Sequence, residues 1–332
     1  MTLASLLRFI ITSVYGAALL VLYTYVVIII IAHKKSESSF RSSFYKLFIV
    51  GFFMNMMTYF NSLISLRLPQ SNGINETLSN FFLTHNEHNM EVIFPVKVFH
   101  FLHYYFAYAQ YIYNFFISLN RFSLITNPIK SELFWRKRFW WFVFAIFAIP
   151  WAFAVPILVG RSYYVYHSHG DYFFLDTTIK RSLIYTILAP TLSVITAMNS
   201  FLNFMSVRKV IILKLSGGRV PEKNLLQMSF VIFFIDIFLV ILTLIKAIII
   251  ACGLSFKSES TDEILSWIVI LIPFASDALT LTQPLLLLFF SKTVRRCCIW
   301  PFPCLKSLRS HRLIARNSVL VVRPFGAPTI TG

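Results

Sequence analysis

Few side chains in this sequence could do chemistry. Asp236 and Asp277 both sit in otherwise apolar stretches. Two facing aspartates could share general acid–base work, but neither has the Gly-rich flanks of an aspartyl protease, so no enzyme is expected. His100 and His103 are three residues apart, yet no third ligand is evident beside them. A zinc site needs three or four, so neither a metal nor a cofactor is expected. At about 100° per residue, Lys97, His100, Tyr104, Tyr108, Tyr111, Asn114 and Ser118 fall on one helical face. A polar, aromatic stripe on an apolar helix has to face protein or a cavity. Two readings stay open. The tyrosine hydroxyls could be satisfied by neighbouring helices. Alternatively, the upper half could line a pocket with a few polar anchors, with His100, His103, Tyr104 and Tyr108 meeting an external ligand.

The elements that must position these residues follow from composition. The chain has 332 residues, 57% apolar, 17% aromatic and 13% charged. A soluble domain carries about 25% charged residues, and 36 Phe are too many for one core to hide. Soluble, disordered and disulfide-framework classes are excluded, leaving a polytopic membrane protein. Crossing a hydrocarbon core takes about 20 apolar residues in a helix. Seven stretches meet this, at 9–32, 47–66, 98–120, 139–160, 182–207, 225–252 and 264–291. The fold class expected is an all-α, seven-transmembrane helix bundle over 1–291, followed by a basic cytoplasmic tail, 292–332. The first stretch is too long for a signal-peptide core and reads as a retained helix.

Charge sets the direction. The segments 33–46, 121–138, 208–224 and 292–332 hold 22 Lys/Arg, against 7 in the alternate set. Lys and Arg favour cytoplasmic loops, so the amino terminus is expected outside and the carboxyl terminus inside. The net charge of +17 therefore suits anionic inner-leaflet lipid rather than nucleic acid. The Asn75-Glu76-Thr77 sequon falls in a loop assigned outside, making Asn75 a glycosylation candidate. Cys297, Cys298 and Cys304 lie just inside the seventh stretch, where S-palmitoylation occurs.

Ionisable groups inside a span cost about 2.5–3.5 kcal/mol each on insertion scales. Asp236 and Asp277 are expected near the midplane, facing the bundle interior, either protonated or partnered, with Asn55 one possible partner. Hydrogen bonding between helices, a bound cation and an activation switch all remain open for them. Lys246 lies near the outer end of its helix and is expected to snorkel to the interface.

The sequence also carries recognisable motifs. Ser42-Ser43-Phe44-Tyr45-Lys46-Leu47-Phe48-Ile49 with the run at 55–70, Asn120-Arg121-Phe122-Ser123 with Pro128 and Trp135, and Ser276-Asp277 with Pro284 and Val294-Arg295 resemble the nematode serpentine receptors of class gamma. The likeness spans roughly residues 1–300. It implies a chemosensory receptor in the plasma membrane, sited in sensory neurons and their cilia, coupled to a heterotrimeric G protein through its inner loops, with Arg121 in the coupling region. Unlike rhodopsin-like receptors, the chain places Asn120 rather than an acid before Arg121, and no Asn-Pro-x-x-Tyr closes the seventh stretch. A ligand-gated channel or transporter is the rival, but only the third stretch carries an extended polar stripe. The topology predicts a glycosidase-sensitive shift in gel mobility that Asn75→Gln abolishes; modification at a loop assigned to the cytosol would reverse the orientation.

Overall fold

A computed structural model describes residues 3–70, 80, 82, 96–167, 172–215, 223–251 and 259–299. Asn75 and Cys304 lie outside the described residues. The helices are α1 (Leu3–His33), α2 (Ser43–Gln70), α3 (Val96–Thr126), α4 (Pro128–Val159), α5 (Arg181–Leu215) and α6 (Lys223–Ala251). They are followed by α7 (Glu259–Leu281), α8 (Gln283–Phe290) and α9 (Lys292–Ile299). Five of them are long and apolar enough to cross a membrane; a sixth span arises if α7 and α8, bent by 43°, count as one.

The sequence reading expects seven such spans, and the shortfall lies in α3. Its tyrosines, histidines and asparagines make it too polar to pass on composition. Packing explains why this helix is tolerated: His100, Tyr104, Tyr105, Ala109, Tyr111, Tyr113, Asn114 and Ser118 are all buried. Residues outside the polar stripe, such as Tyr105, Ala109 and Tyr113, are buried too, so protein covers the helix on more than the stripe's own face. α3 is the central post, packed against α2, α4 and α5. By contrast, α4 shows Trp140, Trp141 and Phe144 on its outer surface, the pattern of a helix whose partner is lipid. Trp140 and Trp141 lie two and three residues beyond the run Arg136, Lys137 and Arg138, where aromatic residues anchor a membrane–water interface.

Two local features position the polar groups. Pro284 has no N–H and cannot serve the carbonyl of residue 280, four positions back. Thr280 O instead accepts a hydrogen bond from Asn55 Nδ2 at 3.2 Å, and the helix breaks there into α7 and α8. Tyr23 ties the break from α1 by donating to Gln283 Oε1 at 3.0 Å. At the other end of the bundle, Ser42 cannot cap α2 with its own side chain. Glu132 of α4 does so instead, accepting from the Ser43 amide at 3.1 Å and the Ser43 hydroxyl at 2.8 Å. A carboxylate at a helix amino terminus meets both an unsatisfied N–H and the positive end of the helix dipole. Close helix approach is set by Gly51, where any Cβ would overlap the Tyr113 ring.

Two strands stand within the connection expected between the fourth and fifth spans. Its aromatic and β-branched runs pair as an antiparallel hairpin, β1 (Ser162–His167) with β2 (Tyr172–Thr177), Ser162 facing Thr177. The hairpin covers one end of the bundle through a cluster of Phe82, Val96, Tyr164 and Phe173. Burial pushes the Tyr164 hydroxyl up to about 12, so it stays neutral. At the opposite end, Cys297 is buried in the core and Cys298 is half-buried, its thiol pushed up to about 11 by burial. A protonated thiol is a poor nucleophile, so of these two cysteines only Cys298 has any access to an acylating partner.

The Glu132 cap carries a measurable load. Glu132→Ala should lower the stability of the detergent-solubilised protein by about 1–2 kcal/mol, seen as a reduced thermal midpoint, with Glu132→Gln recovering part of the loss. An unchanged midpoint in Glu132→Ala would remove the cap from the stability of α2.

Candidate functional site

At the hairpin end, a cavity of about 90 Å³ lies among α2, α3, α5, α6 and α7. His103, Tyr104, Gln110 and Tyr111 reach it from α3, Asn61 and Ser62 from α2, Tyr185 from α5, Lys246 from α6 and Ser276 from α7. Leu188, Leu192, Leu239 and Ile272 complete an apolar wall. Of the four ligand candidates taken from the α3 stripe, His103 and Tyr104 line this space. His100 does not: its Nδ1 bonds Ser162 Oγ at 2.9 Å, joining α3 to the hairpin. Tyr108 stacks on Phe153 of α4, with ring centroids 5.2 Å apart. Lys246 corrects the snorkelling expectation. Its side chain turns into the bundle, with Nζ 5.3 Å from the centre of the Tyr185 ring.

Below the cavity, Asp236 is buried and held by amides. Asn114 Nδ2 donates to it at 3.0 Å and Asn199 Nδ2 at 3.2 Å, while Asn203 donates to Asn199 at 3.3 Å. This cluster bolts α3, α5 and α6 together. Asn199 and Asn203 went unnoticed in the sequence, although two amides four apart in an apolar stretch share a helical face and signal a polar neighbour.

Asp277 has a different set of partners. It pairs with the Arg67 guanidinium and accepts a hydrogen bond from the Tyr15 hydroxyl, joining α7 to α2 and α1. The partner suggested from sequence, Asn55, is instead committed to Thr280 and to Tyr23. Arg67 belongs by count to an outer loop, yet it is 5% exposed and lies over the Tyr59 ring at 4.9 Å. A turn of π-helix at Leu63–Arg67 carries α2 past the end of its expected span and brings Arg67 to this position. Such turns add a residue to a helix and recur at functional sites.

At the far end, the motif residues converge. Asn120 Nδ2 donates to Ser43 Oγ at 2.8 Å, and Ser43 is the residue held by Glu132. Trp135 Nε1 donates to Ser123 Oγ at 2.8 Å, and Ser123 in turn donates to the Asn120 carbonyl at 2.8 Å. Arg121 does not end α3, which runs on to Thr126. Its guanidinium lies 4.5 Å from the centre of the Phe44 ring. Beside it a second cavity, of about 310 Å³, is lined by Arg41, Arg121, Pro128, Glu132, Arg136 and Leu226 among others. Its three arginines and its position opposite the hairpin give it the charge and size of a docking recess for a protein segment or an anionic group. Tyr45 links this end to α8 through a 3.2 Å contact with Ser291 Oγ.

The residues that resemble a receptor family in sequence are thus brought into contact here, two of the three motifs in one hydrogen-bonded network and the third in the Asp277 cluster and the helix break. Comparison with known proteins agrees. The chain is 29% identical over 285 residues to serpentine receptor class gamma-31 of Caenorhabditis elegans, covering 85% of this chain and 88% of that protein. Residues 9–298 match the family described as Srg family chemoreceptor. This multi-pass membrane protein belongs to the Srg chemoreceptor family.

Proposed function

We propose that this chain is a chemosensory receptor of the plasma membrane, including that of sensory cilia, that crosses the bilayer seven times. Residues 1–291 form the bundle, with the amino terminus outside, and 292–332 form a cytoplasmic tail. In this reading α3 and the bent α7–α8 pair each make one span, the first because protein covers its polar groups on all sides. The imbalance of 22 Lys/Arg against 7 supports the direction, and it places the hairpin outside and the arginine-lined cavity in the cytosol.

The outer cavity then takes a small external molecule, with His103 and Tyr104 in contact with it. Signalling leaves through Arg121 and the Asn120–Ser43–Glu132 network to a heterotrimeric G protein. The single observation that carries this reading is the placement of two unlike cavities at opposite ends of one buried helix, α3: an aromatic-walled one below the hairpin and a basic one at the motif residues. A ligand preferring one arrangement of the helices would shift the population seen at the inner recess. The clusters at Asp236 and Asp277 lie between the two and are the positions where such arrangements would differ. The channel or transporter alternative has no observation in its favour.

Two measurements check this. An amino-terminal epitope tag should stain on intact cells and a carboxyl-terminal one only after permeabilisation; staining of both, or of neither, contradicts an odd number of crossings. In cells reporting second-messenger change to a panel of small water-soluble chemicals, Tyr104→Ala and His103→Ala should each raise the half-maximal concentration of an active compound at least tenfold at normal surface levels. An unchanged dose–response in both variants would remove the outer cavity as the ligand site.

A further inference from the structure

Among the described residues, the outer cavity holds a positive charge with no acid paired to it. Ion pairs among the described residues join Arg67 to Asp277, Arg181 to Asp176 and Arg296 to Glu37. Lys246 is in none of them. The groups facing it from α3 and α5 are His103, Tyr104 and Tyr185. Asp176, the hairpin's acid, is occupied by a two-pronged contact with Arg181. The Tyr185 ring face offsets only part of the cost of withdrawing an ammonium group from water.

The rest of the lining also waits for partners. Gln110 Nε2, Asn61 Oδ1 and Ser62 Oγ are buried and unbonded among the described residues, and all three residues border the same cavity. The space of about 90 Å³ is well under the ~300–1,000 Å³ of pockets for drug-sized ligands, so the occupant is small. Leu188, Leu192, Leu239 and Ile272 give it an aliphatic side.

We infer that the outer cavity is built for a small carboxylic acid, whose carboxylate meets Lys246 and whose short apolar body lies against Leu188, Leu239 and Ile272. Gln110, Asn61 and Ser62 add selectivity for acids that carry a further hydroxyl or carbonyl oxygen, since a buried polar group left unmatched penalises any occupant that cannot bond it. This inference rests on the reading of the cavity as a ligand site and narrows it to one chemical class.

The test uses the full chain in lipid nanodiscs, with thermal midpoint as the readout. Probes are butanoate, hexanoate and 3-hydroxybutanoate, set against their methyl esters and the corresponding amines. Carboxylates should raise the midpoint at concentrations at least tenfold lower than esters or amines. Lys246→Met should abolish that tenfold preference, and Lys246→Arg should keep it. Without ligand, the Lys246→Met midpoint should equal or exceed that of the natural protein, because a charge partly withdrawn from water and without an ion-pair partner among the described residues is gone; this separates loss of binding from loss of fold. Equal potency of esters or amines, retention of the preference in Lys246→Met, or no shift with any carboxylate each overturns the inference. Stabilisation by a neutral compound that disappears in the cavity-filling Ala107→Trp variant would sink the acid but keep the cavity as a ligand site. If no compound of any class shifts the midpoint, both readings fall together.

Discussion

Lipid supplies no hydrogen bonds, so each polar side chain carried into this bundle has to be met by another part of the protein. That requirement explains most of what is specific about the structure. Asp236 is met by Asn114 and Asn199. Asp277 is met by Arg67 and Tyr15. Each acid thereby ties together three helices, and the two sets share none: α3, α5 and α6 in one case, α1, α2 and α7 in the other. The bundle is a pair of three-helix groups, each pinned at one buried carboxylate. α4, which takes part in neither carboxylate cluster, lies against α3 with its far face on the outside.

Seen this way, α3 is central because it carries the most polar side chains and therefore has the most to be covered. The same property makes its two ends useful. One end contributes His103, Tyr104 and Gln110 to one cavity, and the other contributes Arg121, Leu124 and Ile125 to the second. Between them runs an unbroken helix of 31 residues with Asn114 near its middle. A change in how α3 sits at the first space is therefore also a change at the second.

The helices were largely legible in the sequence because apolar length is an additive, local property. A helix, or in the last case the α7–α8 pair, lies over every stretch read as a span, with α4 starting 11 residues earlier than expected, and the α3 stripe is buried as its spacing implies. What could not be read were pairings, since they depend on which faces of distant helices meet. Arg67 looks like a loop charge until the π turn at Leu63–Arg67 places it beside Asp277, 210 residues away. Asn55 looks like a partner for an aspartate, but Pro284 frees a carbonyl nearer to it, and the amide goes there. Lys246 is close enough to a helix end to reach water by length alone, and only its rotation about α6 decides that it points inward. The hairpin was not legible because its two six-residue strands are too short for their aromatic alternation to stand out beside the long apolar spans.

The interruption between α7 and α8 has a mechanical meaning. Elsewhere in these helices, stiffness comes from repeated main-chain bonds that no substitution can easily remove. At residues 280–284 the continuity is maintained by an amide from one neighbour and a phenol from another. That makes an elbow whose compliance is written in exchangeable side chains, so the ease with which the last segment swings can be retuned by evolution one residue at a time without disturbing the rods on either side.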